Sequence, residues 1–343
     1  MIAGLPLPAV LALFGLAAAV VLICGLRITG LADRIADRTG LGEAVVGGVL
    51  LGAATSLSGT VVSLTAALDG RASLAFSNGV GGIAAQTAFL ALADIIHRRA
   101  NLEHASAEPA NLFQAAMLML MLTVPFVAFS TPEVTVWSIH PASVFLVILY
   151  VAALVATARV RESPMWKPVQ TDETRRDRPD DDAETAKSPV RLLVRFSALM
   201  LILSCAGWVI ARCGAVITDE LGISSTAVGA LMTATATSLP ELVTTIAAVR
   251  RGALQLAVGG IIGGNTFDVL FLTLSDIGYR NGSIYHAVTV QDYFWLSVGL
   301  LMTGVLLSGL ILRQKKGPAG IGFESAGILL LYGGAIAIQA AAG

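Results

Sequence analysis

Ten runs of about 20 apolar residues, each long enough to cross a bilayer as a helix, dominate this sequence. They lie near 6–26, 41–68, 72–95, 111–130, 141–159, 191–216, 223–249, 252–276, 289–312 and 320–341. A segment in hydrocarbon must satisfy its own backbone, so such runs fold as helices. The second and seventh are longer than one crossing needs, which predicts tilt or a break. Only 13% of the 343 residues are charged, against about 25% in a soluble domain. That excludes a soluble enzyme and a disordered protein. A net charge of −1 provides no basic field for nucleic acid. The three cysteines, Cys24, Cys205 and Cys213, have no paired spacing for a metal or a disulfide framework.

The loops set the orientation. The N-terminus lacks the basic stretch of a cleaved signal peptide and reads as the first span, entering from outside. All Lys and Arg residues except Arg71, Arg212 and Arg280 then fall on the inner side, as the positive-inside bias requires. Residues 161–190 contain DETRRDRPDDDAETAKSP, too charged and too poor in apolar groups to bury a core. They read as a hydrated cytoplasmic linker. His97, His104, His140 and His286 lie near loops and read as exposed.

The chain repeats itself. Residues 40–95 align without a gap on 222–277 at an offset of 182, pairing Thr55-Ser56-Leu57 with Thr237-Ser238-Leu239, Gly81-Gly82 with Gly263-Gly264, and Asp94 with Asp276. Each half holds five spans. An odd number means that the second half enters from the opposite side. The expected fold is therefore an all-α integral membrane protein, with ten transmembrane helices in two inverted five-helix repeats. The first repeat is 1–160 with its N-terminus outside, and the second is 191–343 with its C-terminus outside. In transporters of this plan the site lies near the midplane, where interrupted helices meet. Asp94 and Asp276, at span ends, are expected to serve helix termini rather than ions.

Two pairs of segments meet at the symmetric centre. The first is ATSLSGTVVS (54–63) with ATSLPELVTT (236–245). Pro240 removes a backbone donor and disturbs the turn before it. Thr237, Ser238 and Glu241 can share one helix face. A carboxylate inside a span is costly and is a functional candidate by default. The second pair is AFSNGVGGIAAQ (75–86) with AVGGIIGGNTFD (257–268). Asn265 and Asp268 share a face, and Asn78 and Gln86 add amide oxygens. Carboxylates, amides, hydroxyls and carbonyls are ligands for hard cations. Two carboxylates match one divalent ion, two sodium ions, or protons.

These segments resemble the two alpha-repeats of the calcium/cation antiporter superfamily, of the sodium/calcium exchanger type. The resemblance rests on ATSLPELVTTIAAVRRGALQLAVGGIIGGNTFD and its weaker copy ATSLSGTVVSLTAALDGRASLAFSNGVGGIAAQ. It implies ion sites at the centre of a ten-helix fold. Glu241 and Asp268 then fall on the second-repeat carboxylates, and Thr55, Ser56, Thr237 and Ser238 on the ligating Thr-Ser pairs. The first repeat departs from the pattern. Ser58 and Gly59 stand for Pro-Glu, and Ile83 and Gln86 for two asparagines. In the second repeat Gly260 replaces Asn and Gly264 replaces Ser.

The expected function is exchange of a hard cation, Ca2+ or Na+, against Na+ or H+ by alternating access. The partners are membrane lipids and inorganic cations, with no enzymatic cofactor and no nucleic acid. The expected location is a prokaryotic inner membrane. A monovalent Na+/H+ exchanger and a non-transporting ion sensor on the same fold are the alternatives. No HExxH or GxSxG motif supports an intramembrane enzyme.

Overall fold

The computed structural model describes residues 2–39, 48–97, 101–106, 108–169, 189–315 and 322–341. Most of the 161–190 linker lies outside these residues. Apart from one isolated bridge between Val136 and Ile139, the regular structure among them is helical. In chain order the helices are α1 Leu7–Thr39, α2 Gly48–Thr55, α3 Leu57–Leu68, α4 Ala72–His97, α5 Leu102–Ser106, α6 Pro109–Ser130, α7 Pro141–Glu162 and α8 Pro189–Leu221. After α8 come α9 Ser225–Ala227, a π-helical segment Val228–Thr233, α10 Ala234–Thr237, α11 Leu239–Arg251, α12 Leu254–Asp268, α13 Leu270–Gly278, α14 Ile284–Ala287, α15 Val290–Leu312 and α16 Phe323–Ala341.

Eight helical segments among the described residues are long and apolar enough to cross a membrane. The other two expected crossings, 41–68 and 223–249, are built from shorter pieces. In each, one serine interrupts the helix with nearly flat ψ: Ser56 (φ −82°, ψ 1°) and Ser238 (φ −96°, ψ 4°). Residues 40–47 lie outside the description. The two broken helices then turn back through Gly70 (φ 73°) and Gly252 (φ 82°), in the left-handed region where a side chain is penalised.

The repeat extends well beyond the segment that shows sequence identity. The starts of α1, α4, α5 and α7 recur at the starts of α8, α12, α14 and α16 at the same offset of 182. Proline occupies the first helical turn of α6, α7 and α11, where its missing N–H is no loss. Helix α15 opens on a capping box between Thr289 and Asp292.

Helix α4 is the centre of the bundle. Its central window is 83% buried, against 28% for α1, α7, α8 and α16, so those four present most of their apolar surface outward, as lipid-facing helices do. Helix α4 touches α3, α11, α12, α15, α16 and the π-helical segment, whereas α1 packs chiefly on α8. Glycine makes the central contacts close. A Cβ on Gly81 would lie 2.4 Å from the Ala230 backbone, so only a glycine lets α4 lie against the π-helical turn.

Asp94 and Asp276 hold helix ends together, as expected of them. Asp276 accepts the backbone N–H groups of Ile284 (3.0 Å) and His140 (2.7 Å) and the Ser143 hydroxyl (2.7 Å). Asp94 accepts those of Leu102 (2.7 Å) and Gly322 (3.2 Å). A buried polar group without its partner costs about 1–3 kcal/mol. Asp276→Ala strands two buried N–H groups and a hydroxyl, so roughly 3 kcal/mol or more is lost. The expected outcome is a clear drop in the thermal midpoint of the detergent-solubilised protein, with a smaller drop for Asp276→Asn.

Two of the histidines are buried rather than exposed. His104 and His140 are each 6% accessible. The Nδ1 of His140 accepts the Ala142 N–H and caps α7, and burial pushes its pKa down. His104 meets the Arg313 carbonyl at 2.6 Å. His140 is covered by the rings of Tyr285 and His286, and His104 by the chain at Arg313, contacts between residues far apart in the sequence.

Candidate cation site

The two serine breaks, α4 and the end of α12 meet at one point. Glu241 stands in the first turn of α11, three residues after Ser238. Asp268 is the last residue of α12. Both are almost fully buried, at 7% and 2% exposure, and close enough to repel one another.

The partners cross between the halves. The Thr55 hydroxyl pairs with the Glu241 carboxylate, and Ser56 faces Asp268. Gln86 Nε2 donates to Asp268 Oδ2 at 2.6 Å and reaches Ser238 Oγ at 3.4 Å. Gln86 and Asp268 are themselves 182 residues apart, the offset of the sequence repeat. Gly82 opens the pocket in front of Ser238 and Asp268, whose Oγ and Oδ2 lie 3.6 and 3.7 Å from the Cβ it lacks.

Several oxygens here are buried without a hydrogen-bond partner: Glu241 Oε2, Asp268 Oδ1, Gln86 Oε1 and Asn265 Oδ1. Asn265 turns its Nδ2 away, toward Thr87 Oγ (3.0 Å), which leaves its oxygen free. Buried polar atoms are rarely left unpaired. Four unpaired acceptors, two of them on carboxylates, form a place for a positive charge. They are the oxygen types that hard cations take.

Not every expected ligand has a free atom. Asn78 donates to the Gly59 carbonyl (3.1 Å) and Ser63 Oγ (2.9 Å) and accepts from Thr233 Oγ (2.7 Å). Its amide therefore ties α4 to α3 and to the π-helical segment. Thr237 donates to the carbonyls of Thr233 and Ala234, which leaves its oxygen lone pairs as the available ligand. Nothing in the sequence marked Thr87 or Thr233 as supports, since a threonine in a span commonly bonds within its own helix.

Phe271 is the residue that sequence reasoning missed most. A Cβ on Gly59, the repeat mate of Glu241, would lie 2.7 Å from Phe271 Cε2 and 3.1 Å from Cζ. The ring fills the space that a side chain there would need. The pocket is therefore lopsided: its acids come from the second half, and the first half supplies hydroxyls and amides.

Comparison with known proteins agrees with this architecture. The sequence pattern of the family described as "Sodium/calcium exchanger protein" matches residues 9–158 and 191–341. The sodium/calcium exchanger MaX1 of Methanosarcina acetivorans is 30% identical over 138 residues, 38% of this chain and 39% of that protein. The inner membrane protein YrbG of Escherichia coli is 28% identical over 324 residues, 90% of this chain and 89% of that one. Among solved structures, the sodium-calcium exchanger NCX_Mj superposes with a TM-score of 0.63 at 18% identity, over 97% of this chain and 99% of that one. The H+/Ca2+ exchanger CAX superposes with a TM-score of 0.71 at 13% identity, over 97% and 85%. With its two matched regions covering most of its length, the chain belongs to the sodium/calcium exchanger protein family, a family of membrane transporters and not of enzymes.

Proposed function

We propose that the protein is a secondary antiporter that exchanges a hard cation, Ca2+ or Na+, against Na+ or H+ by alternating access. The observation that carries this reading is the set of four unpartnered buried oxygens on Glu241, Asp268, Gln86 and Asn265, where two interrupted helices meet. Glu241 and Asp268 supply the charge. Thr55, Ser56, Thr237 and Ser238 add hydroxyl oxygens, and Gln86 and Asn265 amide oxygens. Asn78 positions the Gly59 turn. The names of two relatives support a cation cargo: MaX1 is a sodium/calcium exchanger and CAX an H+/Ca2+ exchanger.

The same reading takes 1–160 and 191–343 as two inverted five-helix repeats with both termini outside, joined by a cytoplasmic linker at 161–190. The broken crossings 41–68 and 223–249 complete ten helices. The constant offset of the element boundaries supports this, because five crossings per half make the two halves antiparallel. The likeness to YrbG, an inner membrane protein, supports that location.

A monovalent Na+/H+ exchanger is the second reading, and Gly59 favours it. With Phe271 in place of a first-repeat acid, the pocket holds two carboxylates, enough for one calcium ion or for two monovalent charges. Reconstituted proteoliposomes separate the readings. Calcium-45 uptake driven by a sodium or proton gradient supports calcium exchange. Sodium flux driven by pH, without calcium uptake, supports the monovalent reading. Thermal stabilisation by an ion with no flux of any cation would contradict transport and leave a sensor.

A further inference from the structure

The two latching aspartates lie in environments that repeat mates build differently. Around Asp276, Ser143 Oγ bonds both Asp276 Oδ2 (2.7 Å) and Tyr285 Oη (2.9 Å). Asp276, Ser143 and Tyr285 thus form a hydrogen-bonded cluster that holds a single carboxyl group. At the offset of 182, Tyr285 corresponds to Glu103, Ser143 to Ser325 and Ala142 to Glu324. Around Asp94 the fold thus replaces a phenol and a methyl group by two carboxyls.

Glu103 and Glu324 are both 0% exposed and face each other from α5 and α16. Among the described residues, all four of their carboxyl oxygens lack a hydrogen-bond donor, and Oγ of the fully buried Ser325 lacks a partner. Asp94, the third acid, has both oxygens occupied by backbone N–H groups. The guanidinium of Arg313 donates to the carbonyls of Val169 and His104. The Glu324 side chain is wedged between glycines: a Cβ on Gly309 would lie 2.6 Å from its Cγ, and one on Gly322 would lie 2.2 Å from its Oε1. Two facing carboxylates beside a third cannot all stay charged in a buried place. Among the described residues, no group of three acids, histidines or cysteines is arranged to hold a metal ion.

We propose that Glu103 and Glu324 form a proton-binding site, distinct from the central pocket, in which one proton is shared between the two carboxyls and fastens α5 to the first turn of α16. Carboxylic acid donates to carboxylate, which gives these oxygens a donor that the described residues do not otherwise supply. When the proton leaves for water, two like charges face each other across the contact and push the helices apart. Burial, then Asp94 and Glu324, hold the Glu103 carboxyl well above the ordinary carboxylate range. A group raised in this way stabilises the fold at low pH, and that contribution is lost as pH rises through its folded value.

The test uses the full-length protein in detergent. Infrared difference spectra between acid and alkaline pH are expected to show a protonated-carboxyl C=O band that shifts in heavy water. It persists in the Glu241→Gln/Asp268→Asn background and disappears in Glu103→Gln and in Glu324→Gln. The wild-type thermal midpoint falls by several degrees as pH is raised, and either single variant flattens that slope. A band unaffected by both single variants, or a wild-type slope unchanged in both, overturns the proposal. Stabilisation by sodium at fixed pH that is lost in Glu103→Gln also overturns it, in favour of a metal cation. Central-site flux plays no part in these readouts, so the proposal stands or falls apart from the transport reading.

Discussion

Glu241→Gln is expected to lower the affinity of the reconstituted protein for a divalent cation by at least about three orders of magnitude. The substitution keeps the shape of the side chain and removes one unit of charge from a pocket that holds two acids. At about 4 Å and an effective dielectric of about 20, a carboxylate is worth about 4 kcal/mol per unit of charge on the ion, so about three decades is the lower bound for a divalent ion. Each factor of ten in affinity corresponds to about 1.4 kcal/mol. Asp268→Asn is expected to act in the same direction, with an added cost because Gln86 Nε2 would lose its charged acceptor. Substitutions of Asn78 are expected to lower stability before affinity, since its amide is bonded on all sides. Cation titration followed by calorimetry or flux distinguishes the two patterns.

Gly59→Glu alone is expected to fail, and to succeed together with Phe271→Ala. The ring of Phe271 is 3% exposed and lies in the notch left by Gly59 and Gly79. A new side chain must displace it from a packed centre, and such overpacking costs about 1–3 kcal/mol or more. The single variant therefore loses several degrees of thermal stability and yields little folded protein. In the double variant the new carboxylate occupies the vacated space opposite Glu241. The pocket then gains a third negative charge, and divalent affinity rises at least tenfold over Phe271→Ala alone. A Gly59→Glu protein as stable as the wild type would show that the ring does not fill this space.

Much of this was legible in the sequence. Charged side chains are costly in hydrocarbon, so Glu241 and Asp268 stood out within apolar runs, and the structure brings them together opposite Thr55 and Ser56. The offset of 182 was visible where identities were dense, and the starts of α1, α4, α5 and α7 recur at it in α8, α12, α14 and α16. Four features were not legible, each for a stated reason. The break at Ser56 has no proline beside it, unlike the break at Ser238. It is accompanied by a close approach between helices, in which a Cβ on Gly207 would lie 2.5 Å from the Ser58 carbonyl oxygen. Asn78 looked like a ligand because an amide oxygen carries no mark of its partner, and only the structure shows that Thr233 uses it. Phe271 looked like any apolar span residue, and its role depends on a glycine 212 positions away in the chain. Glu103 falls between the expected spans 72–95 and 111–130, where an acid usually faces water; here α12 and α15 pack against that turn.

The most direct measurement of the central claim is anomalous diffraction from crystals soaked in strontium and, separately, in thallium(I), as stand-ins for a divalent and a monovalent cargo. With at least one of the two, a peak is expected among Glu241 Oε2, Asp268 Oδ1, Gln86 Oε1 and Asn265 Oδ1. It should vanish in Glu241→Gln crystals. If neither ion gives a peak there, or if the peak survives the substitution undiminished, these buried oxygens do not hold the transported cation.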